Sequence, residues 1–438
     1  AVVLVLAVVV AGANVGTASA DSPATELEAI QLAWGRPAEQ ARSGLAAAAQ
    51  AETSRLRNEV FPAEDRAEFA GRPRLTLGRL LPEIFQGDPW RATWPQTPDD
   101  GTHLRVHFTN RHGAKLTGDL WGPPAGTCTA AARCPGILVV EGGWGASARM
   151  YWWAAQTLAE AGYVVLTFDV QGHGESETFG HDAGGRIACM PPVAVPGDPA
   201  ILREIGQCGG IPSEQPATVA LGAEDAYDWF VSAANPWGDR IDSALVGAAG
   251  HSWGAMAVGA LQARRPVRAV VGWDWLSVCP VDIPVHGLAC PAPASEWLPA
   301  RVPALDIEGD YMYVPWPRPA GTSRDSRLEA FHHWVDAGVD AMTLVLRGGT
   351  HFDYSSVPLG LPALRDGQAV AARFTRLWFD KYLRGDTSAS AALVAPTFRM
   401  RRWDPMGRET DVDAGLAGLL STSLDSAAYL DSTLIPVG

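Results

Sequence analysis

The sequence predicts an α/β fold: a mostly parallel central sheet with helices on both faces, an N-terminal helical extension and cap-like insertions. Two observations predict it. Short, predominantly apolar runs at 136–140, 163–168, 244–248, 267–273, 304–307 and 342–346 have the length of strands buried on both faces. Between them lie longer stretches with apolar residues at helical spacing, at 151–161, 217–232, 256–264, 324–337 and 364–383. Such alternation makes successive strands parallel, because each helix carries the chain back across the sheet.

The elements follow in order. Ala1 to Val10 is continuously apolar and leads to Ala18-Ser19-Ala20 and then Asp21. This reads as the apolar segment and cleavage site of a secretory signal peptide with a truncated charged region, residues 1–20. The run of about 13 apolar residues is too short to span a bilayer, which needs roughly 20. The mature chain is therefore expected to be exported, with no stable membrane anchor. Residues 21–101 form an N-terminal extension: Leu27, Ile30 and Trp34 suggest one helix, 45–61 a second, and the Pro- and Trp-rich stretch 82–98 a linker. Alternation at 104–108 and 115–121 around Arg111-His112-Gly113 predicts a β-hairpin. It opens a main domain at 102–385, with loop insertions at 180–216 and 277–300, followed by a C-terminal extension at 386–438.

Composition excludes several classes. With 19% charged and 47% hydrophobic residues the chain is not disordered, collagenous or coiled-coil. The 48 acidic against 34 basic residues, a net charge of -14, and the lack of any basic run argue against a nucleic-acid partner. The six cysteines fall in sequential pairs within Pro/Gly-rich stretches. An even count in an exported chain favours disulfides, and proximity suggests Cys128–Cys134, Cys189–Cys208 and Cys279–Cys290. No C-x-x-C occurs and no His stands at ligand spacing beside a pair, so no metal site is expected.

Gly250-His251-Ser252-Trp253-Gly254 lies between a predicted strand and a predicted helix. Small residues two before and two after the serine permit the sharp turn that lifts a nucleophile above a sheet. The following helix N-terminus aims N–H groups at developing negative charge. A serine hydroxyl needs an adjacent base. His351, in Gly348-Gly349-Thr350-His351 after a predicted strand, is placed to reach it. His332 and His333 fall inside a predicted helix, His173 on a turn, and His251 is expected to point into the protein.

These residues, with Gly142-Gly143-Trp144-Gly145 after one strand and Asp169-Val170-Gln171-Gly172-His173-Gly174-Glu175-Ser176 after the next, give the chain a resemblance. Over about residues 102–385 it resembles the α/β-hydrolase superfamily, near its secreted serine esterase and dienelactone-hydrolase-like branches. The resemblance implies the α/β-hydrolase fold and a Ser-acid-His triad. The oxyanion hole would use the N–H of Trp253 and that of Gly143 or Trp144. The acid usually follows the second strand after the nucleophile helix. There the sequence reads Gly309-Asp310-Tyr311-Met312, with Met312 at the usual acid position, so the sequence departs from the pattern. Asp310 is the first choice and Asp274, at the end of the preceding strand, the alternative; another carboxylate stays open. Asp306 and Glu308 lie within a strand and are assigned to structure. Trp144, Tyr151, Trp253, Trp275 and Tyr311 suggest an aromatic acyl pocket, with Trp152, Trp153 and Trp273 nearby.

The expected function is hydrolysis of small or polymeric carboxylic esters without a cofactor. Alternatives on the same fold are a serine peptidase or amidase, an acyltransferase and a non-catalytic binding protein. Dehalogenase- and epoxide-hydrolase-like chemistry needs Asp where this chain has Ser252, and dienelactone hydrolase itself uses Cys there.

Overall fold

The computed structural model describes residues 102–142, 146–177, 180–181, 187–188, 216–280, 292–309, 325–346, 350–355, 367–403, 409–415 and 431–433. The signal peptide, the N-terminal helices and the linker read from residues 1–101 lie outside the described residues.

The predicted hairpin is β1 (Thr102–Thr109) and β2 (Lys115–Gly122). Then come β3 (Cys134–Val140), α1 (Trp152–Glu160), β4 (Val164–Phe168), and a minimal hairpin of β5 (Gly180–His181) and β6 (Ile187–Ala188). α2 (Pro216–Phe230), β7 (Ile241–His251), α3 (Trp253–Arg264), β8 (Ala269–Trp273) and β9 (Ala304–Gly309) follow. The chain continues through α4 (Asp325–Asp336), β10 (Ala341–Leu346), α5 (Gly367–Arg384) and α6 (Thr387–Leu393). It closes with β11 (Thr397–Trp403), β12 (Glu409–Gly415) and β13 (Asp431–Thr433).

Nine strands form one sheet in the order β1-β2-β4-β3-β7-β8-β9-β10-β13. From β4 through β10 every neighbour is parallel; β1–β2, β2–β4 and β10–β13 are antiparallel. The parallel α/β architecture follows from the apolar runs. Along β3, Leu138 and Val140 face one core while Ile137 and Val139 face the other. The first core is closed by Phe230 of α2, Leu261 of α3 and Trp334 of α4. The second is closed by Trp153 of α1 and Trp378 and Phe379 of α5. A strand that is apolar on both faces needs helices on both, and these two layers supply them.

The order sets the position of the site. From β3 the chain steps to β4 on one side, then returns to lay β7 on the other side of β3. The connections after β3 and β7 therefore part at the C-terminal ends of these strands, the switch point at which ligands bind in open α/β sheets. Gly142 follows β3 and Ser252 follows β7 at this point.

Residues 386–438, read as an extension, contribute α6 against α5 and the edge strand β13, whose three residues pair with Ala341–Thr343 of β10. So short a strand leaves no periodicity to read. Trp153 and Trp273, placed near the acyl pocket, are core residues. Their indole N–H groups donate to the Tyr354 carbonyl (3.1 Å) and to Thr375 Oγ1 (3.0 Å). A buried indole with its polar handle satisfied is structural.

Cys128 and Cys134 are joined in a disulfide that closes a six-residue separation just before β3. Cys279 is also disulfide-bonded; Cys189, Cys208 and Cys290, and hence the other two expected pairings, lie outside the described residues. Replacing Cys128 and Cys134 together by Ala is expected to cost about 2 kcal/mol, from loop-closure entropy alone. Urea unfolding of the two proteins at one pH checks this, with the midpoint falling and the slope little changed.

Candidate active site

Ser252 stands between β7 and α3 with φ 56 and ψ -121. Among the described residues the non-glycine positions with positive φ are Ser252, Asp274 (φ 54) and Trp275 (φ 102). Backbone strain of this kind persists only where surrounding structure enforces it, and here it gathers at one place. The serine is held by its own N–H to the Trp273 carbonyl (3.1 Å) and by its carbonyl, which accepts from Met256 N–H (3.1 Å). The turn also needs bare glycines. A Cβ on Gly250 would stand 2.2 Å from the Gly254 carbonyl oxygen, and one on Gly254 would stand 2.4 Å from the carbonyl oxygens of Val140 and Glu141. Those contacts are with backbone, so the space cannot be made by turning a side chain.

The Ser252 hydroxyl donates to His351 Nε2 across 2.9 Å. The other ring nitrogen, Nδ1, donates to Asp274 Oδ2. His351 begins a single helical turn, His351–Tyr354, closed by a capping box. Thr350 N–H donates to Asp353 Oδ2 (3.0 Å), and Thr350 Oγ1 accepts from Phe352 N–H (3.3 Å). The Thr350-x-x-Asp353 spacing is a signal that sequence reading could have used. Asp274 is fixed at the end of β8: its N–H donates to the Ile307 carbonyl (2.8 Å) and its Oδ1 accepts from Gly309 N–H (3.1 Å). His351 and Asp274 are buried, at 6% and 5% exposure, while Ser252 is partly open.

The structure thus brings together Ser252, His351 and Asp274, the alternative acid. Of the two candidate acids, Asp310 lies outside the described residues, and the carboxylate that meets His351 is that of Asp274. The physical reason is the positive φ at Asp274 and Trp275, which turns the chain sharply off β8 and swings this side chain back over the sheet edge. Non-glycine residues seldom take that conformation, so sequence alone gives it little weight. Asp306 and Glu308 are buried on β9, as assigned, and Asp306 Oδ1 accepts from Leu276 N–H (3.3 Å).

The other predicted residues divide. Trp253 and Trp275 are partly exposed beside Ser252 and Asp274 and can line a binding surface. Gly143, Trp144 and Tyr311 lie outside the described residues. Trp253 N–H, the expected oxyanion donor, is 3.3 Å from the Gly142 carbonyl oxygen, a long bond. Tyr151, expected to touch substrate, is corrected: it is 1% exposed, and its hydroxyl lies between Gly142 N–H (3.0 Å) and His251 Nδ1 (2.8 Å). His251 points inward, as expected, with Nε2 on the His351 carbonyl (2.7 Å). His173 is a buried structural residue against Glu141 (3.2 Å). Nearby, Asp169 is pushed up to about 7, first by burial and then by the charge of Glu141. Among the described residues no three His, Cys, Asp or Glu side chains converge as a metal site requires.

The chain matches no protein-family model and no curated protein.

Burial holds His251 down, to about 3, and the neighbouring His351 adds to the effect. In the unfolded chain the same imidazole protonates near 6.5. Between these values the unfolded state binds the extra proton, so this contribution to stability is complete above about pH 6.5 and is lost as pH falls toward 3. Between pH 6.5 and 5 the loss is about 2 kcal/mol. Asp169, raised by burial, contributes in the opposite direction over the same range, so the test is the difference between the native chain and His251→Phe: by urea unfolding it is expected to shrink by about 2 kcal/mol from pH 7 to pH 5. A second variant tests the turn: Gly254→Ala is expected to destabilise by at least about 1–3 kcal/mol, read as a lowered thermal midpoint.

Proposed function

We propose that this chain is a serine hydrolase of the α/β-hydrolase superfamily that cleaves carboxylic esters. One observation carries the reading: the hydrogen-bonded sequence from the Ser252 hydroxyl through the His351 imidazole to the buried Asp274 carboxylate. Its position supports the reading further, since the serine sits on a strained turn at the sheet's switch point and at the N-terminus of a 12-residue helix.

Each residue then has a role. Ser252 Oγ attacks the ester carbonyl carbon while His351 Nε2 takes its proton. Asp274 holds the proton on Nδ1, so that Nε2 presents its lone pair, and stabilises the imidazolium that forms. The tetrahedral oxyanion takes the Trp253 N–H from the Gly142 carbonyl; the 3.3 Å separation makes that a cheap exchange. Collapse expels the alcohol, protonated by His351, and leaves an acyl-enzyme on Ser252. Water, activated by the same imidazole, attacks the acyl carbon and releases the acid. Removing an oxyanion donor in comparable sites costs roughly 10²–10³ in rate.

The mature chain works outside the cell in this reading. The Cys128–Cys134 disulfide supports that location, because such bonds persist in oxidising compartments.

The test is hydrolysis of p-nitrophenyl esters of increasing acyl length. The native chain is expected to turn over at least one of them. Ser252→Ala is expected to lower kcat by about 10⁶, and Asp274→Asn by about 10⁴ with the fold retained. Absence of turnover on every ester, or full activity in Ser252→Ala, contradicts the proposal.

A further inference from the structure

The predicted triad leaves unused a buried hydrogen-bonded ring behind it. His251 Nε2 lies 2.7 Å from the His351 carbonyl oxygen, which can only accept. Nε2 must therefore carry the proton, and Nδ1 must be the acceptor. Tyr151 O–H donates to that Nδ1 across 2.8 Å, and the same oxygen accepts from Gly142 N–H at 3.0 Å. The Gly142 carbonyl accepts from Trp253 N–H, the residue after Ser252. Each donor in this ring meets an acceptor, and one tautomer satisfies all of them. The side chains are almost sealed, with His251 at 4% and Tyr151 at 1% exposure. Their rings are held on both sides: His251 packs tilted against the His351 ring at 4.6 Å, and Tyr151 stacks on the core residue Trp273 at 6.3 Å.

The ring has a consequence for two parts of the site that come from distant segments of chain. Gly142 begins the connection that follows β3, and His351 opens the turn after β10. Among the contacts above, these segments meet through Tyr151 and His251 and not through each other. We propose that Tyr151 and His251 are positioning residues, which fix the His351 backbone at a set distance from the Gly142 peptide and so from the Trp253 N–H. The distance matters because the base and the oxyanion donor act on the same substrate carbon, and misplacement by about 1 Å can cost on the order of 10² in rate. The space is already filled: a Cβ on Gly142 would fall 2.6 Å from the Tyr151 hydroxyl and 2.9 Å from His251 Nδ1. The inference rests on the serine-hydrolase reading, with His251 and Tyr151 touching no reacting atom.

The experiment compares the native chain with Tyr151→Phe, His251→Leu and His251→Gln on the best p-nitrophenyl ester, with kcat and KM separated. Tyr151→Phe is nearly isosteric and is expected to lower kcat three- to tenfold with KM unchanged. His251→Leu is expected to lower kcat at least tenfold, and His251→Gln, which keeps a donor and an acceptor, to recover most of it. A kcat within twofold of native in folded Tyr151→Phe and His251→Leu overturns the positioning role. Nitrogen-15 NMR of the native chain gives a reading independent of any variant's folding. His251 is expected as the neutral Nε2–H tautomer with a slowly exchanging proton at pH 6, and an imidazolium or an Nδ1–H tautomer there overturns the proposal. If the native chain hydrolyses no ester, the hydrolase reading fails, whereas native turnover with unaffected variants sinks the positioning role alone.

Discussion

The imidazole of His351 is held between a hydroxyl and a carboxylate that belong to different strands of the sheet, and the rest of the site is arranged around that contact. Ser252 comes from the end of β7 and Asp274 from the end of β8, neighbours paired in parallel register. Parallel pairing brings both strand ends to one edge, so each side chain needs only a sharp exit from the sheet to meet its partner. Both exits are strained, at φ 56 and φ 54. Two buried cores on either face of the sheet hold that strain in place.

The electrostatics follow from burial. Asp274 is shielded from water but not left bare, since it accepts from Gly309 N–H as well as facing His351 Nδ1. A buried carboxylate survives when its oxygens are matched by donors, and a charge held this way favours a proton on the facing imidazole nitrogen. His251, only 4.6 Å from His351 between ring centres, stays neutral because burial and the neighbouring ring both oppose its protonation. In the proposed reading the two histidines have different work: His351 moves a proton, and His251 keeps its own on Nε2, donated to the His351 carbonyl oxygen.

Much of this was legible in the sequence, for identifiable reasons. Apolar runs without alternation gave the parallel strands, since a strand covered on both faces has no polar side. The spacing Gly250-x-Ser252-x-Gly254 marked the turn, because backbone crowds both glycines. His351 was visible through the glycines before it. Asp274 stood only as an alternative to Asp310, because its placement depends on a left-handed backbone at two consecutive non-glycine residues, which residue type argues against. Tyr151 is buried rather than at the substrate for a related reason: aromatic character does not say which way a ring faces, and its neighbours Trp153 and Trp273 pack in the core. The edge strand β13 was too short to announce itself. The hydrogen-bonded ring through His251 joins residues 142, 151, 251 and 351, a long-range arrangement with no local pattern.

The reactivity of a single hydroxyl decides whether this constellation is poised for chemistry. Treating the native chain with a fluorophosphonate and mapping the adduct by peptide mass spectrometry reports it directly. Stoichiometric modification confined to Ser252, and abolished when His351 is replaced by Ala, is the predicted result. Modification elsewhere, or a Ser252 that stays unmodified in folded protein, would contradict the assignment of nucleophile and base.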